Sequence, residues 1–385
     1  PLCLDSNDGG SNTGFCLCER CKALDPPDGP KIQLMTFGQR LRPDQPARKR
    51  EMIEYVSLTD RMVFYWNSIA ERVTQVHPNV QFGVSVYSAW TNPPVKRRLH
   101  PNLLTRYVPG DTTQLKGWQE AGLRQVFWRP NILLFNRRDG KLKSFVGPLC
   151  DAMRTFADVG IRQTDFDSIM NNWATAGLSY YAAARLNWNP RLTADEIIRD
   201  YSVRGFGPAA EPVAQYFSRI ESLSRKGIKG SHAAPEDYVY TPETTAELRG
   251  LLNAADAASG GDAEIRARIA FLRMGLNYTE LHERLDDMAR RAQASEPGLD
   301  RTSARQWLDL NYLLMMDIMI GQEMAVNVPA ITWGSGGFAK WRPLPPPPAG
   351  LSKPALTDRL RDPACRQTGR EDSLEALLKV FRLTP

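Results

Sequence analysis

The chain has 385 residues, of which 42% are hydrophobic and 24% charged, and carries a net charge of +6. This is an ordinary globular composition, long enough for two domains or for one large barrel with an extension. It argues against a membrane span, because no run of about 18 apolar residues exists, and against a nucleic-acid groove, because Arg48-Lys49-Arg50, Lys96-Arg97-Arg98 and Arg137-Arg138 are scattered among acids rather than clustered with aromatics.

The sequence opens at Pro1 inside a strand-like run, Leu2 to Asp5, with no leader pattern. It reads as a processed or truncated product, and export is favoured over a cytoplasmic location. The run stops at Ser6-Asn7-Asp8-Gly9-Gly10, and Cys16, Cys18 and Cys21 follow as C-x-C-x-x-C. Three such thiols can hold a tetrahedral metal if a fourth ligand comes from elsewhere, with Cys150 and Asp25 as candidates. A loop disulfide and plain thiols are the alternatives, and no metal or other cofactor is required by the sequence.

Met62, Val63, Trp66, Ile69, Ala70, Val73 and Val76 recur at helical spacing, which predicts a helix over Thr59 to Val76 with Thr59 as N-cap. His77-Pro78-Asn79 ends it, and Val80 to Tyr87 alternates as a strand. Arg124 to Trp128 and Gly160 to Phe166 are further strands, with a helix over Val146 to Val159 between them. Apolar strands alternating with helices predict a parallel sheet with crossover helices, an α/β fold. Four such units are too few for a closed barrel, so the first half reads as the C-terminal part of a (β/α)8 (TIM) barrel, N-terminally incomplete, over residues 1–190.

Beyond it, helices are expected over Ala194 to Val203, Ala209 to Ser224, Glu243 to Ala258, Ala263 to Ala292 and Ser303 to Val326, an α-helical domain spanning 191–327. Residues 328–385 are a Pro-rich extension through Pro343 to Pro348, with a short helix over Asp372 to Phe381. No internal repeat, phosphate-binding glycine loop, G-x-S-x-G or H-E-x-x-H is present. The four histidines form no i, i+4 pair, which argues against a histidine metal site or a Ser-His-Asp triad.

In α/β barrels function sits where strands end on their C-terminal side. The groups available there are carboxylates: Asp5 and Asp8 after one strand, Asp165 and Asp167 after another. Glycoside hydrolysis uses two carboxyl groups facing each other across the scissile bond, one as acid and one as nucleophile or base. Sugar rings also stack on flat apolar faces, and Tyr87, Trp90, Trp128 and Trp173 sit at strand ends or just beyond. Asn7, Asn131 and Asn172 are placed to read hydroxyls or an N-acetyl group. Asp and Asn after a strand are equally common as turn formers and helix caps.

Several motifs carry a resemblance to a known family: Ser6-Asn7-Asp8-Gly9 with the cysteine array, Phe64-Tyr65-Trp66-Asn67, Arg129-Pro130-Asn131, Thr164-Asp165-Phe166-Asp167-Ser168 with Asn172-Trp173-Ala174, Gly177 to Leu186, and Gly205-x-Gly207-Pro208. In order and spacing, the chain resembles the domain of unknown function 4838 family, part of which is classified as glycoside hydrolase family 163. The resemblance covers roughly residues 1–225. It implies a (β/α)8 barrel followed by helices, and endo-β-N-acetylglucosaminidase action on N-glycans. Asp8 would then pair with Asp165 or Asp167, and the partner would be a glycan or oligosaccharide. A non-catalytic carbohydrate-binding protein on the same barrel is the alternative.

Overall fold

A computed structural model describes residues 2–5, 15–35, 51–131, 140–166, 172–224, 240–293 and Ala325. The expected helices over 303–326 (apart from Ala325) and 372–381, and the Pro-rich stretch, lie outside the described residues. The chain divides into two compact units, residues 1–131 with 154–167, and residues 132–153 with 168–385.

The first unit is built on a parallel sheet. Strands β1 (Leu2–Cys3), β4 (Phe82–Val86), β5 (Leu103–Tyr107) and β6 (Gln125–Trp128) lie side by side in that order, all parallel. Strands β2 (Lys31–Met35) and β3 (Met52–Val56) form a separate antiparallel pair. Between these strands run a short helix α1 (Glu19–Lys22), the long α2 (Leu58–Thr74) and α3 (Leu115–Glu120). The architecture is therefore mixed α/β with a parallel sheet.

Helix α2 forms where the apolar spacing predicts it, and buries Leu58, Met62, Val63, Trp66 and Ala70. Each large side chain so enclosed contributes roughly 1.5–3 kcal/mol. Its N-cap is Ser57, not Thr59, whose hydroxyl instead donates to the Asn92 carbonyl at 2.8 Å. One turn later the buried Asp60 accepts backbone N–H bonds from Val95, Lys96 and Arg97 at 2.7, 2.9 and 3.0 Å. Asn67 accepts from the His100 N–H at 3.0 Å and donates to Arg98 O at 2.8 Å. Two polar side chains on α2 thus tie down the loop that leads into β5.

Strand β5 is absent from the sequence reading because Arg106 interrupts its apolar run and Arg97-Arg98-Leu99-His100-Pro101 before it reads as loop. The strand expected over Gly160 to Phe166 contributes a single parallel bridge, Trp128 with Thr164. Arg162, Gln163 and Asp165 there are exposed, which leaves too little apolar surface to bury a full strand.

The second unit is helical: α4 (Val146–Asp158, of which residues 154–158 belong to the first unit), α5 (Trp173–Trp188), α6 (Ala194–Phe206), α7 (Ala210–Ser224), α8 (Pro242–Ala258) and α9 (Ala263–Gln293). Helix α6 starts at a capping box, in which the Thr193 side chain accepts from Glu196 N–H and the Glu196 side chain accepts from Thr193 N–H. It ends at Gly207, whose φ of +47° suits glycine. The division departs from the boundary expected at residue 190, because α5 belongs with the helices. Ala174, Leu178, Tyr180, Ala182 and Leu186 are all buried, and a helix apolar on every side needs neighbours all round. The α5 and α9 backbones meet at Gly275, where a Cβ would lie 2.5 Å from Ala174 O.

Residues 141–145 run irregularly through this unit into α4, yet backbone groups here and in the first turn of α4 are satisfied by helix side chains. Leu142 N–H donates to Thr279, Ser144 N–H to Ser224 and Phe145 N–H to Ser179, at 2.9–3.0 Å. Glu221 accepts from Gly147 N–H at 2.9 Å and from the Ser144 hydroxyl. Lys141 pairs with Glu283 at 2.9 Å, the two side chains being 5% and 8% exposed. No described helix is long and apolar enough to cross a membrane.

Candidate functional site

Parallel sheets are normally covered on both faces. Here one face is buried and the other is mostly half-buried, with Ser85 on it buried and Gln125 exposed. Val84, Val86, Thr105, Tyr107 and Trp128 share the buried face, where Trp128 stacks on Phe156 at 4.4 Å. Gly83, Leu104, Arg106 and Phe127 on the opposite face are half-buried, and Gln125 is exposed. Alternation along each strand produces this division, so the polar residues among the apolar ones decide what the open face carries.

They carry charge. Ser85 pairs in register with Arg106, and Asp5 follows β1 two residues beyond Cys3. Asp5 and Arg106 form an ion pair, each side chain about 25% exposed. The Ser85 hydroxyl donates to the same Asp5 oxygen at 3.0 Å, and the Cys3 thiol lies 3.5 Å from it. The other Asp5 oxygen and Arg106 Nε are buried with no hydrogen-bond partner among the described residues.

A second cluster lies at the end of β6. Asp165 N–H donates to Trp128 O at 2.9 Å, which fixes Asp165 beside the strand end. Arg129 bridges it to Asn131, with Nε 3.5 Å from the Asp165 carboxylate and Nη1 donating to Asn131 Oδ1 at 3.3 Å. The Asp165 side chain is 54% exposed.

Among the residues expected to bind substrate, Trp90 and Trp128 are 2% and 1% exposed. Their indole N–H groups donate to Ser85 O and Pro109 O at 2.7 and 3.0 Å, so both are satisfied core residues with no free face for a sugar ring. Tyr87 is half-buried and leads into a tight turn, Ser88–Trp90, in which Ser88 has φ +47°. Asn131 is buried beside Arg129. Asn172 and Trp173 belong to the second unit. There Asn172 is buried at the start of α5, its carbonyl accepting from Ala176 N–H at 2.7 Å. Trp173 is 36% exposed and edge-on to Tyr180 at 4.9 Å. Asn7, Asp8 and Asp167 lie outside the described residues.

The structure thus brings Asp165 and Asn131 together through Arg129, a residue that the sequence reading quoted only within a family motif. It also adds Ser85, Arg106 and Cys3 around Asp5. Their signal was available as polar side chains on one parity of apolar strands, but β5 had to be recognised first. As to metal ligands, the sulfurs of Cys16, Cys18 and Cys21 all lie within 4.8 Å of one another. Asp25 is not available to them: its carboxylate takes two bonds from Arg61, at 3.0 and 2.5 Å, both side chains 10% exposed. Cys150 is buried in α4 of the second unit.

The model of the family described as domain of unknown function (DUF4838) matches residues 5–219, more than half of the chain. The chain belongs to this family. The matched segment includes the cysteine loop, both charged clusters and helices α1 to α6. No curated protein and no solved structure matches the chain.

Proposed function

We propose that the protein is a glycoside hydrolase acting on N-acetylglucosamine-containing glycans, with an endo-β-N-acetylglucosaminidase-like reaction run by carboxyl groups at the mouth of a (β/α)8-type barrel. The observation that carries this reading is the half-exposed polar face of the parallel sheet, with Asp5 and Asp165 at its C-terminal edge. That is where α/β enzymes place their chemistry. Asp165, more than half exposed, is the described carboxylate open to substrate. Asp8 and Asp167 complete the acid and nucleophile or polarising roles. Tyr87, Asn7 and Asn131 remain the proposed sugar contacts of this unit. Glycosidic cleavage needs only this pair and water, with carboxyl groups about 5–5.5 Å apart in a retaining enzyme and about 6.5–9.5 Å in an inverting one. N-glycans lie outside the cytoplasm, so the reading implies an exported protein.

A carbohydrate-binding protein without turnover is the second reading. It is favoured by one feature: both described carboxylates at the edge are engaged by an arginine, and a carboxylate held in an ion pair is less free to act on a substrate. The test is turnover of a panel of N-glycans and chitooligosaccharides by wild type, Asp8→Asn and Asp165→Asn. Loss of roughly 10²–10⁴-fold in either variant, with glycan binding retained, supports the hydrolase. Glycan binding by all three with no cleavage by any selects the binding protein. Neither cleavage nor binding by the wild type refutes both.

A further inference from the structure

The segment from Phe15 to Asp25 is held in place before any ligand is considered. Phe15 N–H donates to the Tyr55 hydroxyl at 2.9 Å, and the Phe15 ring meets Tyr55 and Trp90 edge-on at 6.0 and 5.9 Å. Arg61, from α2, donates to Cys16 O at 2.7 Å and grips Asp25 at the other end of the segment. Between these anchors α1 turns tightly, with Cys21 and Lys22 N–H groups both donating to Cys18 O at 3.0 Å. The turn gathers three thiols that are free in this structure, Cys16 and Cys18 exposed and Cys21 half-buried.

We propose that Cys16, Cys18 and Cys21 form a thiolate site for one soft divalent cation, zinc(II), with water in the fourth position. Tetrahedral zinc with bonds of about 2.3 Å places sulfurs roughly 3.8 Å apart. Here the three sulfurs lie within 4.8 Å, so closure needs a shift of about 1 Å or less in side chains on a pinned backbone. A disulfide uses two sulfurs and strands the third, whereas a metal uses the convergence of all three.

Three sulfurs this close repel one another when ionised, and a bound cation removes that repulsion. On binding, each thiol still protonated releases its proton to solvent, three S–Zn bonds form, and nothing is oxidised or reduced.

The test uses the full-length protein, reduced, stripped with a chelator and desalted, then titrated with cobalt(II) and with zinc(II) against a chromophoric chelator. The expected result is one equivalent per chain, an intense sulfur-to-cobalt charge-transfer band that zinc abolishes, and proton release. Cys18→Ser should weaken binding at least about 100-fold, since even the loss of groups that merely orient a ligand costs 10–100-fold. Cys3→Ser should leave it unchanged. Where Cys18→Ser fails to fold, alkylation of the wild type mapped by mass spectrometry decides instead: zinc should protect Cys16, Cys18 and Cys21 together and leave Cys3 reactive. No charge-transfer band, or no joint protection of the three, overturns the site.

Discussion

Charged residues do opposite things in the two units. On the sheet of the first, Asp165 pairs with Arg129 while more than half exposed, and Asp5 pairs with Arg106 at the rim of an open face. In the helical unit, Lys141 and Glu283 are almost wholly enclosed, and Glu283 also accepts the Tyr240 N–H at 3.1 Å. A charge removed from water must have its partners supplied by the fold. Glu283 and Glu221 hold an irregular segment inside a helix bundle and have little freedom left for a ligand. The Arg129–Asp165 pair, with its carboxylate more than half exposed, stabilises little, and its side chains can exchange partners when a ligand arrives. Exposure, more than residue type, separates structural acids from those offered to substrate.

That contrast can be broken by mutation. The largest effect on stability should come from Glu283→Ala, which takes a buried carboxylate partner from the buried Lys141. A loss of about 3–5 kcal/mol is expected in urea unfolding, and a value below about 1 kcal/mol would mean the pair is not enclosed in solution. Asp165→Asn should do the reverse, changing stability by less than about 1 kcal/mol while lowering the proposed glycan turnover roughly 10²–10⁴-fold. Asp60→Ala lies between: three backbone donors lose their acceptor, and thermal unfolding should show a cost of about 2–3 kcal/mol. Gly275→Ala drives a methyl into the α5 backbone and should cost about 1–3 kcal/mol.

The smallest effect is a pH dependence. The Tyr181 hydroxyl, then Arg204, holds Asp200 below the usual carboxylate range. A depressed folded-state value means that the contribution is present above the unfolded-state value and fades as pH falls through the folded one. Asp200→Asn should therefore lower the neutral plateau slightly, leave the acid extreme unchanged and flatten the limb between them. An unchanged acid limb would count against the interaction.

Much of this architecture is legible in the residues. Helix α2, its stop at His77-Pro78-Asn79 and strand β4 follow from apolar spacing and one breaker. Helices α4 and α6 to α9 begin and end within a few residues of their expected limits, because amphipathic stripes and caps act locally. Helix α5 was not anticipated, since residues 174–180 are buried on all sides and leave no stripe to read. Trp90 and Trp128 look like ligand platforms from their positions after strands, but whether a face is free depends on Phe156, Pro109 and other residues distant in the chain. The Arg129 bridge and the Arg106–Asp5 pair depend on strand order and register, which no local pattern specifies.

By itself the sequence determined the α/β class of the first half, the helical character of the second, the supply of carboxylates at strand ends and the C-x-C-x-x-C spacing. Those properties depend on neighbours within a few positions along the chain. Only the tertiary structure decided which acids are enclosed and which exposed, that Asp25 belongs to Arg61 rather than to the thiols, and that two conspicuous tryptophans are core. Burial and pairing are properties of groups far apart in sequence, and folding alone brings those groups together.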